Sequence, residues 1–501
     1  GLLSLSSGES MIGILSTVLF LVAVYVYKYY ANVRRYPKGP TPLPLIGNLH
    51  QFEAHRLHHF FEKAQAEYGD VFTVWTPCPM VVLMSYDTIK EALVNKGDDF
   101  LGRMGHYPDD MLMNTENGGV IFSQGDNWRE QRRTSIQILR DFGMGKNVME
   151  AQVKSSMDEC MKHLESIKDK SAVDFRWPLQ ILVANVVNEV LFGYHYSFND
   201  CKRLMDYSDN LAAHLEDMRK NFLVFVVMQF PFLARFPIIG WRGHGQYKKN
   251  VQYFIEHVRE DVKRCMKTYD ENEEPSCFVH AYMQRMGKNS FLTEDQMVNV
   301  CSDFFLAGME TTSTTLRWAM LFMAKNQRVH DKIRAEIHSV IGKDGEVTMA
   351  DRQRLPYTSA AISELQRMAN ILPMNVVHRT VNDTKVYGHS IPNDTLIMAQ
   401  MYNVMKRGEI FEDHDEFKPE RFLMDDGKTP NRETLEQVIP FSMGKRMCAG
   451  EGLARMELFL GLSCILQKYR LLPPKDAPLD LTPIEASIFI PKTNKLQMIP
   501  V

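Results

Sequence analysis

Near the carboxyl terminus the chain reads Pro440-Phe-Ser-Met-Gly-Lys-Arg-Met-Cys-Ala-Gly450, and an amphipathic stretch from about Gly452 to Tyr469 follows at once. The period of that stretch predicts a helix, so Cys448 stands at a helix amino terminus, where backbone N–H groups and the helix dipole favour a thiolate. Gly444 and Gly450 allow tight turns and the close approach of a flat group. A nucleophilic cysteine needs a histidine base, and this loop holds none. Cys448 is therefore predicted to be a lone thiolate ligand, a role that suits iron.

Composition and charge exclude several classes of protein. The 501 residues are 45% hydrophobic and 24% charged, which is ordinary globular usage and rules out a collagen-like or wholly disordered chain. The 58 basic and 61 acidic side chains leave a net charge of −3, so nucleic acid is not expected as a partner. The eight cysteines contain no Cys-x-x-Cys pair, which argues against a disulfide framework and a cysteine-rich zinc site.

The amino-terminal segment is predicted to anchor the chain in a membrane. Residues 11–27 (MIGILSTVLFLVAVYVY) carry no charge, and a helix extended to Tyr30 would span a hydrocarbon core of about 30 Å. A cleaved signal peptide has its basic residues before the apolar stretch, whereas here they follow it: Lys28, Arg34 and Arg35. We therefore expect a retained anchor, with the rest of the chain on the cytosolic side.

The remaining chain is predicted to form one large body behind a short spacer. We predict an anchor over 1–30, a proline-rich linker over 31–48 and a catalytic domain over 49–501. Four prolines in the linker favour a stiff, extended spacer, and a plain linker is the alternative. Helical periodicity dominates the domain, with strand-like runs near 71–84 and 384–399. The predicted fold class is mainly α with minor β-sheets.

One predicted helix breaks the rules of helix propensity in its middle. Thr293 and Gln296 form a capping box, and a helical pattern runs from there to about Asn326. Its interior reads Ala307-Gly-Met-Glu-Thr-Thr-Ser-Thr-Thr315, although an interior Gly costs about 1 kcal/mol relative to Ala and Ser and Thr also lie below Ala. Such conflicts mark functional sites. A buried run of hydroxyls that bond back to the preceding turn is the alternative.

The cysteine loop matches every specified position of Phe-x-x-Gly-x-Arg-x-Cys-x-Gly, the loop pattern of the cytochrome P-450 family. The matching residues are Phe441, Gly444, Arg446, Cys448 and Gly450. Two further motifs follow the family's order: Glu364-Leu-Gln-Arg367 resembles its Glu-x-x-Arg helix, and Pro419-Glu-Arg-Phe422 resembles its later arginine motif. The resemblance covers the whole chain and implies the cytochrome P-450 fold, preceded by a transmembrane helix.

The resemblance implies haem b (iron protoporphyrin IX) as cofactor, with Cys448 as the metal ligand, because a cysteine thiolate is the axial ligand in this family. Trp128-x-x-x-Arg132 resembles the helix that binds the haem propionates, and arginine suits such carboxylates because it donates bidentately. The implied haem-binding residues are Arg103, Trp128, Arg132, His378, Phe441, Arg446, Cys448 and Gly450.

The resemblance also implies a buried ion network of Glu364, Arg367 and Arg421. By spacing alone, Glu364 and Arg367 would more often form a surface pair.

Three shorter motifs resemble the animal microsomal branch, which metabolises drugs, steroids and fatty acids: Gly47-Asn48-Leu49, Phe142-Gly-Met-Gly-Lys146 and Ala307-Gly-Met-Glu-Thr-Thr312. They imply a monooxygenase of the endoplasmic reticulum membrane that inserts one atom of O2 into a lipophilic xenobiotic, steroid or fatty acid. Thr311 and Glu310 would be catalytic, since Thr311 would hydrogen-bond the iron-bound oxygen and Glu310 would relay protons through ordered water. Gly308 would leave room for the oxygen.

A substrate pocket is implied by position in related enzymes. Its predicted residues are Ile121, Phe122, Asp303, Leu306, Ala307, Leu372, Val376, Ile488 and Phe489. Apolar residues at such spacings are also typical of core. Two roles stay open for Asp303: it accepts backbone N–H bonds from the 105–120 loop, or it pairs with a cationic substrate.

Residues 222–241 (FLVFVVMQFPFLARFPIIGW) are apolar all round. Pro231, Pro237 and Arg235 interrupt the stretch too often for a second membrane span. Since a large exposed apolar patch usually marks a binding surface, we expect a lid that dips into the bilayer and admits lipophilic substrates. A dimer contact is the alternative.

Electrons are expected from a partner, because the nearest dinucleotide-like sequence, Gly450-Glu-Gly452, lacks the third Gly and a preceding strand. NADPH would act only indirectly, through NADPH-cytochrome P-450 reductase, and a small cytochrome b is a second candidate partner. Residues 128–147 carry five basic and two acidic side chains, net +3, and with Lys445 they would offer a docking face; a solvated helix face is the alternative. These side chains are Arg129, Arg132, Arg133, Arg140 and Lys146 against Glu130 and Asp141.

Two other functions would share Cys448 and the same fold. One is a haem-thiolate isomerase or peroxygenase, which needs no external electrons, and the other is a non-enzymatic haem carrier. The Glu310-Thr311 pair argues against both, because this pair serves oxygen activation.

Overall fold

Helices form most of the protein. The computed structural model describes residues 2–51, 56–143, 147–475, 478–485 and 488–501. The α-helices are α1 (Leu2–Val33), α2 (Leu57–Tyr68), α3 (Tyr86–Lys90), α4 (Gly125–Asp141), α5 (Asn147–Ser166), α6 (Arg176–Phe192), α7 (Lys202–Lys220), α8 (Phe222–Gln229), α9 (Pro237–Gly240), α10 (Gln246–Lys267), α11 (Phe278–Met286), α12 (Glu294–Lys325), α13 (Gln327–Val340), α14 (Pro356–Ala369), α15 (Met401–Arg407), α16 (Arg432–Glu436) and α17 (Glu451–Lys468). The predicted mainly α class is confirmed.

Short strands connect the helices. They are β1 (Val71–Thr76), β2 (Cys78–Leu83), β3 (Val173–Asp174), β4 (His378–Arg379), β5 (Thr384–Val386), β6 (His389–Ile391), β7 (Leu396–Ala399), β8 (Tyr469–Leu472), β9 (Pro483–Ile484), β10 (Ile490–Pro491) and β11 (Lys495–Pro500). Both predicted strand regions are confirmed, since β1 and β2 lie within 71–84 and β5, β6 and β7 lie within 384–399. The strands β8 to β11 were not predicted.

The chain forms two compact units. The first is Gly1–Leu101 with Val376–Ala399, and the second is Gly102–Asn375 with Gln400–Val501. Within the first unit, β1, β2, β7 and β4 form one sheet in that order, in which β2 and β7 are parallel and the other pairs antiparallel. Strand β7 is buried along its whole length, as its run of Leu, Ile, Met and Ala requires.

Helix α1 contains Met11–Val33, a stretch of 23 residues that is long and apolar enough to cross a membrane and that no other part of the protein buries. Among the described residues no second helix meets both conditions. The segment behind it is held by β1 and is not a free spacer. Asn48 exchanges two hydrogen bonds of 2.8 Å with the Trp75 backbone, and a Cβ on Gly39 would lie 2.0 Å from the Thr73 carbonyl oxygen.

Helix α12 runs through the core of the second unit, between α6 and α17. Its predicted limits are confirmed, and Thr293 Oγ1 accepts the Gln296 N–H at 3.2 Å as an N-cap should. The other half of the predicted capping box is wrong, because the Gln296 side chain accepts the Gly119 N–H at 3.1 Å instead. The tertiary contact thus replaces a local one and ties a loop to the start of α12.

Candidate active site

The cysteine loop is held by its own backbone and by neighbouring side chains. Ser442 and Gly444 adopt left-handed conformations (φ 58° and 80°), and the Cys448 N–H donates to the Phe441 carbonyl at 3.0 Å. Asn375 Nδ2 donates to Ser442 Oγ at 2.7 Å. The predicted turn at Gly444 is confirmed, because a side chain at that φ would be strained.

Cys448 lies two residues before Gly450, the N-cap of α17. Its side chain is exposed, so the sulphur is accessible to a ligand. Burial raises the pKa of the Cys448 thiol, and the N–H groups of Gly450 and Glu451 and the charge of Arg132 offset this only in part. The helix terminus alone therefore does not deliver the predicted thiolate; a coordinated metal cation would.

Gly450 is not required for a turn, contrary to expectation. Its φ of −95° is open to any residue, and an added Cβ would lie 4.0 Å from Cys448 Sγ. Phe441 carries the Arg455 guanidinium 5.1 Å from its ring centre, so the aromatic ring at the start of the loop packs against α17.

Two residues of α4 join this loop. Trp128 and Arg132 are four residues apart and therefore lie on one face of the helix. Arg132 Nη2 donates to the Met447 carbonyl at 2.6 Å, next to the cysteine, and the Arg446 guanidinium lies 3.9 Å from the centre of the Trp128 ring. The predicted Trp-x-x-x-Arg helix thus contacts the cysteine loop.

A third arginine completes a cationic cluster. Arg103 Nε and Arg446 Nη1 lie 2.9 and 3.5 Å from the Ile121 carbonyl oxygen. Burial, followed by the charges of Arg103 and Arg132, lowers the pKa of Arg446 to about 8. Burial and the charge of Arg132 lower the pKa of Arg103 to about 10, against the opposing effect of Asp109. The three guanidinium groups therefore repel one another at a buried site.

This donor set fits a haem with its propionates. Trp128 Nε1 is buried and has no hydrogen-bond partner among the described residues, which is costly unless a ligand accepts its proton. Two carboxylates would accept from the indole and the arginines and would cancel the repulsion between Arg103, Arg132 and Arg446. Cys448 beside them offers a thiolate for iron.

His378, which was predicted to bind a propionate, lies on β4 in the first unit. Its Nδ1 is 2.8 Å from the Phe100 carbonyl oxygen, so the tautomer with a proton on Nδ1 donates this bond. Its role toward haem stays a prediction.

Helix α12 has an accessible stretch in its middle. Leu306, Ala307 and Thr311 are partly exposed, whereas all residues from Thr312 to Ala324 are buried. Ala307 and Thr311 are four residues apart and share a face. Thr311 Oγ1 donates to the Ala307 carbonyl at 2.7 Å, and Thr315 Oγ1 donates to the Thr311 carbonyl at 2.8 Å. Thr311 and Thr315 therefore bond back to the preceding turn, as the alternative reading of the hydroxyl run expects, whereas Ser313 and Thr314 also bond the side chains of Gln180 and Glu310.

Glu310 uses another side of the helix. Thr314 Oγ1 donates to Glu310 Oε1 at 3.2 Å, and burial raises the pKa of this carboxyl although the charge of Arg317 opposes it. Neighbouring helix residues do not face each other, so the carboxyl of Glu310 and the hydroxyl of Thr311 serve different sides of α12.

Gly308 permits close packing of two helices. A Cβ at this position would lie 3.0 Å from Val187 Cγ2 of α6, so the space that the glycine leaves is taken by α6. The expectation that Gly308 leaves room for oxygen stays a prediction.

Asp303 holds a loop to α12. Its Oδ2 accepts the N–H groups of Val120 and Ile121 at 2.7 and 3.0 Å. Burial raises the pKa of the Asp303 carboxyl to about 7, although these two bonds favour the charged form. Of the two roles left open, the structure shows the backbone one.

The other predicted pocket residues fall into two groups within the second unit. Ile121 and Phe122 lie at the end of the loop that Asp303 holds, and Leu306 and Ala307 lie about one turn after Asp303 on α12. The second group is joined by its backbone, since the Phe489 N–H donates to the Ile371 carbonyl at 2.8 Å and thereby brings together the turns that contain Leu372 and Ile488. Trp318 Nε1 of α12 donates to the Phe489 carbonyl at 2.9 Å. Val376 belongs to the first unit.

Comparison with known proteins settles the family. A family model described as cytochrome P450 matches residues 37–498. The chain belongs to the cytochrome P450 family. Membership makes it a haem-thiolate monooxygenase with haem b as its prosthetic group.

Vertebrate cytochromes P450 are similar over nearly the full length. Cytochrome P450 2H1 of Gallus gallus is 34% identical over 502 residues, covering 97% of this chain and 99% of its own. Cytochrome P450 2B2 of Rattus norvegicus is 35% identical over 500 residues (96% and 98%), and cytochrome P450 2C8 of Homo sapiens is 33% identical over 504 residues (98% and 100%).

The implied ion network of this cytochrome P450 is confirmed. Arg367 donates to both carboxylate oxygens of Glu364 at 2.7 and 2.9 Å, and Arg421 Nε donates to Glu364 Oε1 at 3.1 Å. Glu364 and Arg367 are fully buried. The surface-pair alternative is wrong because α14 is covered on this side.

The basic face of α4 is smaller than the sequence suggests. Arg132 points inward, and Arg129 and Arg133 pair with acids of their own helix at 2.8 and 2.6 Å. Arg140 is exposed. Lys146 lies outside the described residues.

The segment 222–241 is divided as its prolines predict. Helix α8 ends before Pro231, and Pro237 begins α9. Its apolar side chains are strongly exposed: Phe222, Phe232, Phe236, Ile238 and Trp241. We call these five residues the apolar patch.

Sequence analysis missed the side chains that hold the loop before Val120. Asn299 Oδ1 accepts a hydrogen bond from the Asn114 N–H of this loop at 2.5 Å. Gly119 has a φ of 78°, and a Cβ there would lie 2.2 Å from Asp303 Oδ2. The turn sequence Asn117-Gly118-Gly119 indicates a loop, but it does not indicate which side chains of α12 bind that loop.

A second missed residue is Glu457 of α17. It is buried and hydrogen-bonds the Thr312 side chain, and its Oε1 has no other partner among the described residues. Burial raises the pKa of Glu457 well above the ordinary value. The available signal was an acidic residue between apolar neighbours, Met456 and Leu458.

Proposed function

We propose that this cytochrome P450 is anchored in the endoplasmic reticulum membrane and inserts one atom of O2 into a neutral, lipophilic small molecule. The observation that carries the proposal is the accessible stretch of α12, where the apolar Leu306 and Ala307 precede the single hydroxyl of Thr311. When bound, haem supplies the activation of oxygen. The residues of the chain hold the cofactor, order the substrate and move protons.

The cationic cluster holds the cofactor. Arg103, Arg132 and Arg446 would receive the propionates together with Trp128, and Cys448 would ligate the iron. The buried indole N–H and the mutual repulsion of the guanidinium groups support this assignment.

The pocket residues favour a neutral substrate. Apart from Asp303 and Thr311, the residues assigned to the pocket in the second unit are apolar: Ile121, Phe122, Leu306, Ala307, Leu372, Ile488 and Phe489. Asp303 already accepts two backbone N–H groups, so an ion pair with a cationic substrate would compete with them. Xenobiotics, steroids and fatty acids are the substrate classes to test.

Thr311 and Glu310 would divide the proton chemistry. The Thr311 hydroxyl donates a hydrogen bond to the Ala307 carbonyl, and its lone pairs would accept a hydrogen bond from a water molecule and so orient it. Glu310 holds a proton more strongly than an exposed glutamate and would pass it on through water from its own side of α12.

Electrons would arrive from NADPH through a reductase with an acidic docking surface, and a small cytochrome b is a second donor. Arg140 and Lys445 are exposed and basic and lie on the elements that flank Cys448. Opposite charges at such a surface raise the rate of association.

The membrane would bind the protein through α1 and would supply the substrate at the apolar patch. Helix α1 supplies the anchor, with the catalytic part on the cytosolic side. The apolar patch would enter the bilayer and admit lipophilic substrates from it.

The test is incubation of the purified protein with a lipid extract, a reductase and NADPH. Mass spectrometry should find products that gain one oxygen atom, and NADPH consumption should match product. Turnover without NADPH would indicate an isomerase or a peroxygenase, and an absence of any product would indicate a haem carrier.

A further inference from the structure

A short loop beside α1 exposes three apolar side chains: Leu43, Leu45 and Ile46 are 44%, 70% and 38% exposed. Two backbone hydrogen bonds between Leu43 and Gly47, of 3.0 and 2.8 Å, close the loop. A Cβ on Gly47 would lie 2.1 Å from the Trp75 carbonyl oxygen, so the base of the loop packs on β1. The loop is therefore fixed at its base, while its apolar side chains stay exposed. We call residues 43–46 the leucine loop.

Water favours neither the backbone nor the side chain of Leu45. Its φ of 73° lies in the left-handed region, which bulky side chains rarely adopt. Glycine, asparagine and aspartate are the residues that usually occupy such a position in an exposed turn. A leucine that is mostly exposed in this conformation suits an apolar environment better than water.

The last turns of α1 hold the leucine loop. The Tyr29 hydroxyl donates to the Leu43 carbonyl at 3.2 Å, and the Tyr30 hydroxyl donates to the Pro42 carbonyl at 3.1 Å. The Tyr29 ring also packs on the Trp75 ring, with 5.7 Å between the ring centres. Helix α1, the loop and β1 are therefore joined by side-chain contacts within the first unit.

Helix α1 gives the depth of the leucine loop in a membrane. Residues 11–30 rise about 30 Å at about 1.5 Å per residue, which is the thickness of a hydrocarbon core. Tyr29 and Tyr30 then lie at the boundary between hydrocarbon and headgroups, where tyrosine is enriched. Because their hydroxyls bind the loop, the loop lies at the same level. Arg34 and Arg35 are exposed and follow on the chain, at the level of the headgroups.

We propose that the leucine loop enters the bilayer beside α1 and contacts the lipid acyl chains. The bilayer is the partner because the loop adjoins the helix that is long and apolar enough to cross it, at the level where that helix leaves the hydrocarbon. The contact buries Leu43, Leu45 and Ile46 and holds the first unit at a fixed depth on the membrane. This proposal rests on the membrane anchor in the proposed function.

Tyr387 offers a matched control within the first unit. It is 57% exposed and has a φ of 48°, so it shares with Leu45 both exposure and a left-handed backbone. It lies in the turn between β5 and β6. Lys96 Nζ donates to the Lys385 carbonyl at 2.5 Å and so ties this turn to the segment that follows the end of β2 far from Trp75.

The test is photocrosslinking of the full-length protein in phosphatidylcholine vesicles. The photoreactive residue p-benzoylphenylalanine replaces Leu45, Tyr387 or Leu19 in three separate variants. Leu19 lies in the middle of the apolar stretch of α1 and reports whether this helix is inserted. After illumination and digestion with trypsin, mass spectrometry should find the peptide 39–56 with one phosphatidylcholine attached. We expect at least about tenfold more lipid adduct at position 45 than at position 387, together with adduct at position 19.

The outcomes separate this contact from the anchor. Adduct at position 19, with no more adduct at position 45 than at position 387, would overturn the leucine-loop contact and leave the anchor in place. An absence of adduct at position 19 would overturn the anchor and the contact with it. A crosslink from position 45 to a peptide of a second copy of the chain, in place of lipid, would assign the loop to a dimer interface and overturn the proposal. Because Leu45 and Tyr387 are both exposed, neither replacement removes a buried contact.

Discussion

Three arginine side chains directed at one another are costly inside a protein unless anions join them. Arg103 and Arg446 are buried; the charge of Arg132 lowers the pKa of both, and the charge of Arg103 lowers that of Arg446 as well. Because this arrangement of arginines is unfavourable without bound anions, the residues themselves indicate that the protein binds the cofactor. The buried Trp128 indole N–H, which has no hydrogen-bond partner among the described residues, independently indicates the same cofactor.

The first prediction concerns the ligand to iron. In Cys448→Ser the reduced protein with carbon monoxide should lose the strongly red-shifted Soret band of thiolate-ligated haem, because a serine oxygen does not replace the thiolate. Cys464→Ser is the control: Cys464 lies on α17, and burial raises the pKa of its thiol to about 12, so the band should stay. An unchanged band in Cys448→Ser would refute the ligand assignment.

The second prediction compares two threonines of α12 with the same backbone bond. Thr311→Val should lower product per NADPH by about threefold or more and raise hydrogen peroxide, because the bound oxygen loses a hydrogen-bonding group. Thr315→Val removes an equivalent bond one turn later and should leave the ratio unchanged. Both quantities are measured with reductase present. Equal ratios in the two variants would show that Thr311 only packs and bonds within the helix.

The third prediction is a pH dependence of stability. The pKa of Asp303 is 3.8 in an exposed carboxyl and about 7 in the folded protein, mainly through burial. The folded state therefore keeps a proton that the unfolded chain loses between about pH 4 and 7, and stability falls as the pH rises through this range. The loss is about 4 kcal/mol for this carboxyl alone at about 1.4 kcal/mol per pKa unit.

Asp303→Asn removes this titration and keeps an oxygen for the Val120 and Ile121 N–H groups. Its thermal midpoint relative to the unmodified protein should rise steadily from pH 4 to 7. A difference that does not change with pH would contradict the predicted titration of Asp303.

At the scale of elements, close helix packing overrides local propensity. Gly308 of α12 faces Val187 of α6, and Gly461 of α17 would place a Cβ 3.0 Å from Leu316 Cδ2 of α12. Each glycine weakens its own helix by about 1 kcal/mol but lets two helices approach. The rule violation in the sequence of α12 therefore has a packing cause at Gly308, and the accessible Thr311 one turn later stays a predicted site residue.

The fourth prediction uses the two faces of α4. Arg132 turns inward, whereas Arg140 is exposed on the same helix. Arg140→Glu should slow the first electron transfer from reductase by about two- to fivefold at low salt and weaken its salt dependence, because a surface charge acts mainly on association. Stopped-flow reduction at several ionic strengths measures both effects.

Lys267→Glu at the end of α10 is the matched control and should not change the rate of reduction. Turnover supported by peroxide should be spared in both variants. A loss of peroxide-supported turnover in Arg140→Glu would indicate damage to the fold rather than to docking.

At the scale of the whole molecule, two segments of the described chain, besides the leucine loop, each expose several large apolar side chains. Helix α1 exposes the stretch Met11–Val33, and the apolar patch exposes large side chains between residues 222 and 241. Soluble proteins rarely expose so much contiguous apolar surface. The first unit, through α1, and the second unit, through the apolar patch, therefore each have a segment whose apolar side chains favour contact with lipid.

The fifth prediction tests the patch in the full-length protein in vesicles with brominated acyl chains. Trp241 is 55% exposed, whereas Trp75, Trp128 and Trp318 are buried, so the bromines should quench mainly the emission of Trp241. Trp241→Phe should remove most of the quenching, and Trp177→Phe should not. Quenching that survives in Trp241→Phe would favour the dimer contact over the bilayer.

The sequence by itself determined the family, the apolar amino-terminal helix, the length of α12 and the buried Glu364 network, because these depend on motifs shared with the family and on periodicity along the chain. Only the tertiary structure decided which way neighbouring side chains point. In the structure, Asp303 accepts hydrogen bonds from two backbone N–H groups, and Glu310 bonds on a different side of α12 from Thr311. Val187 packs against Gly308, and Arg132 points into the protein. The physical reason is that a buried polar group takes the partner that packing brings to it, and that partner comes from a distant part of the chain.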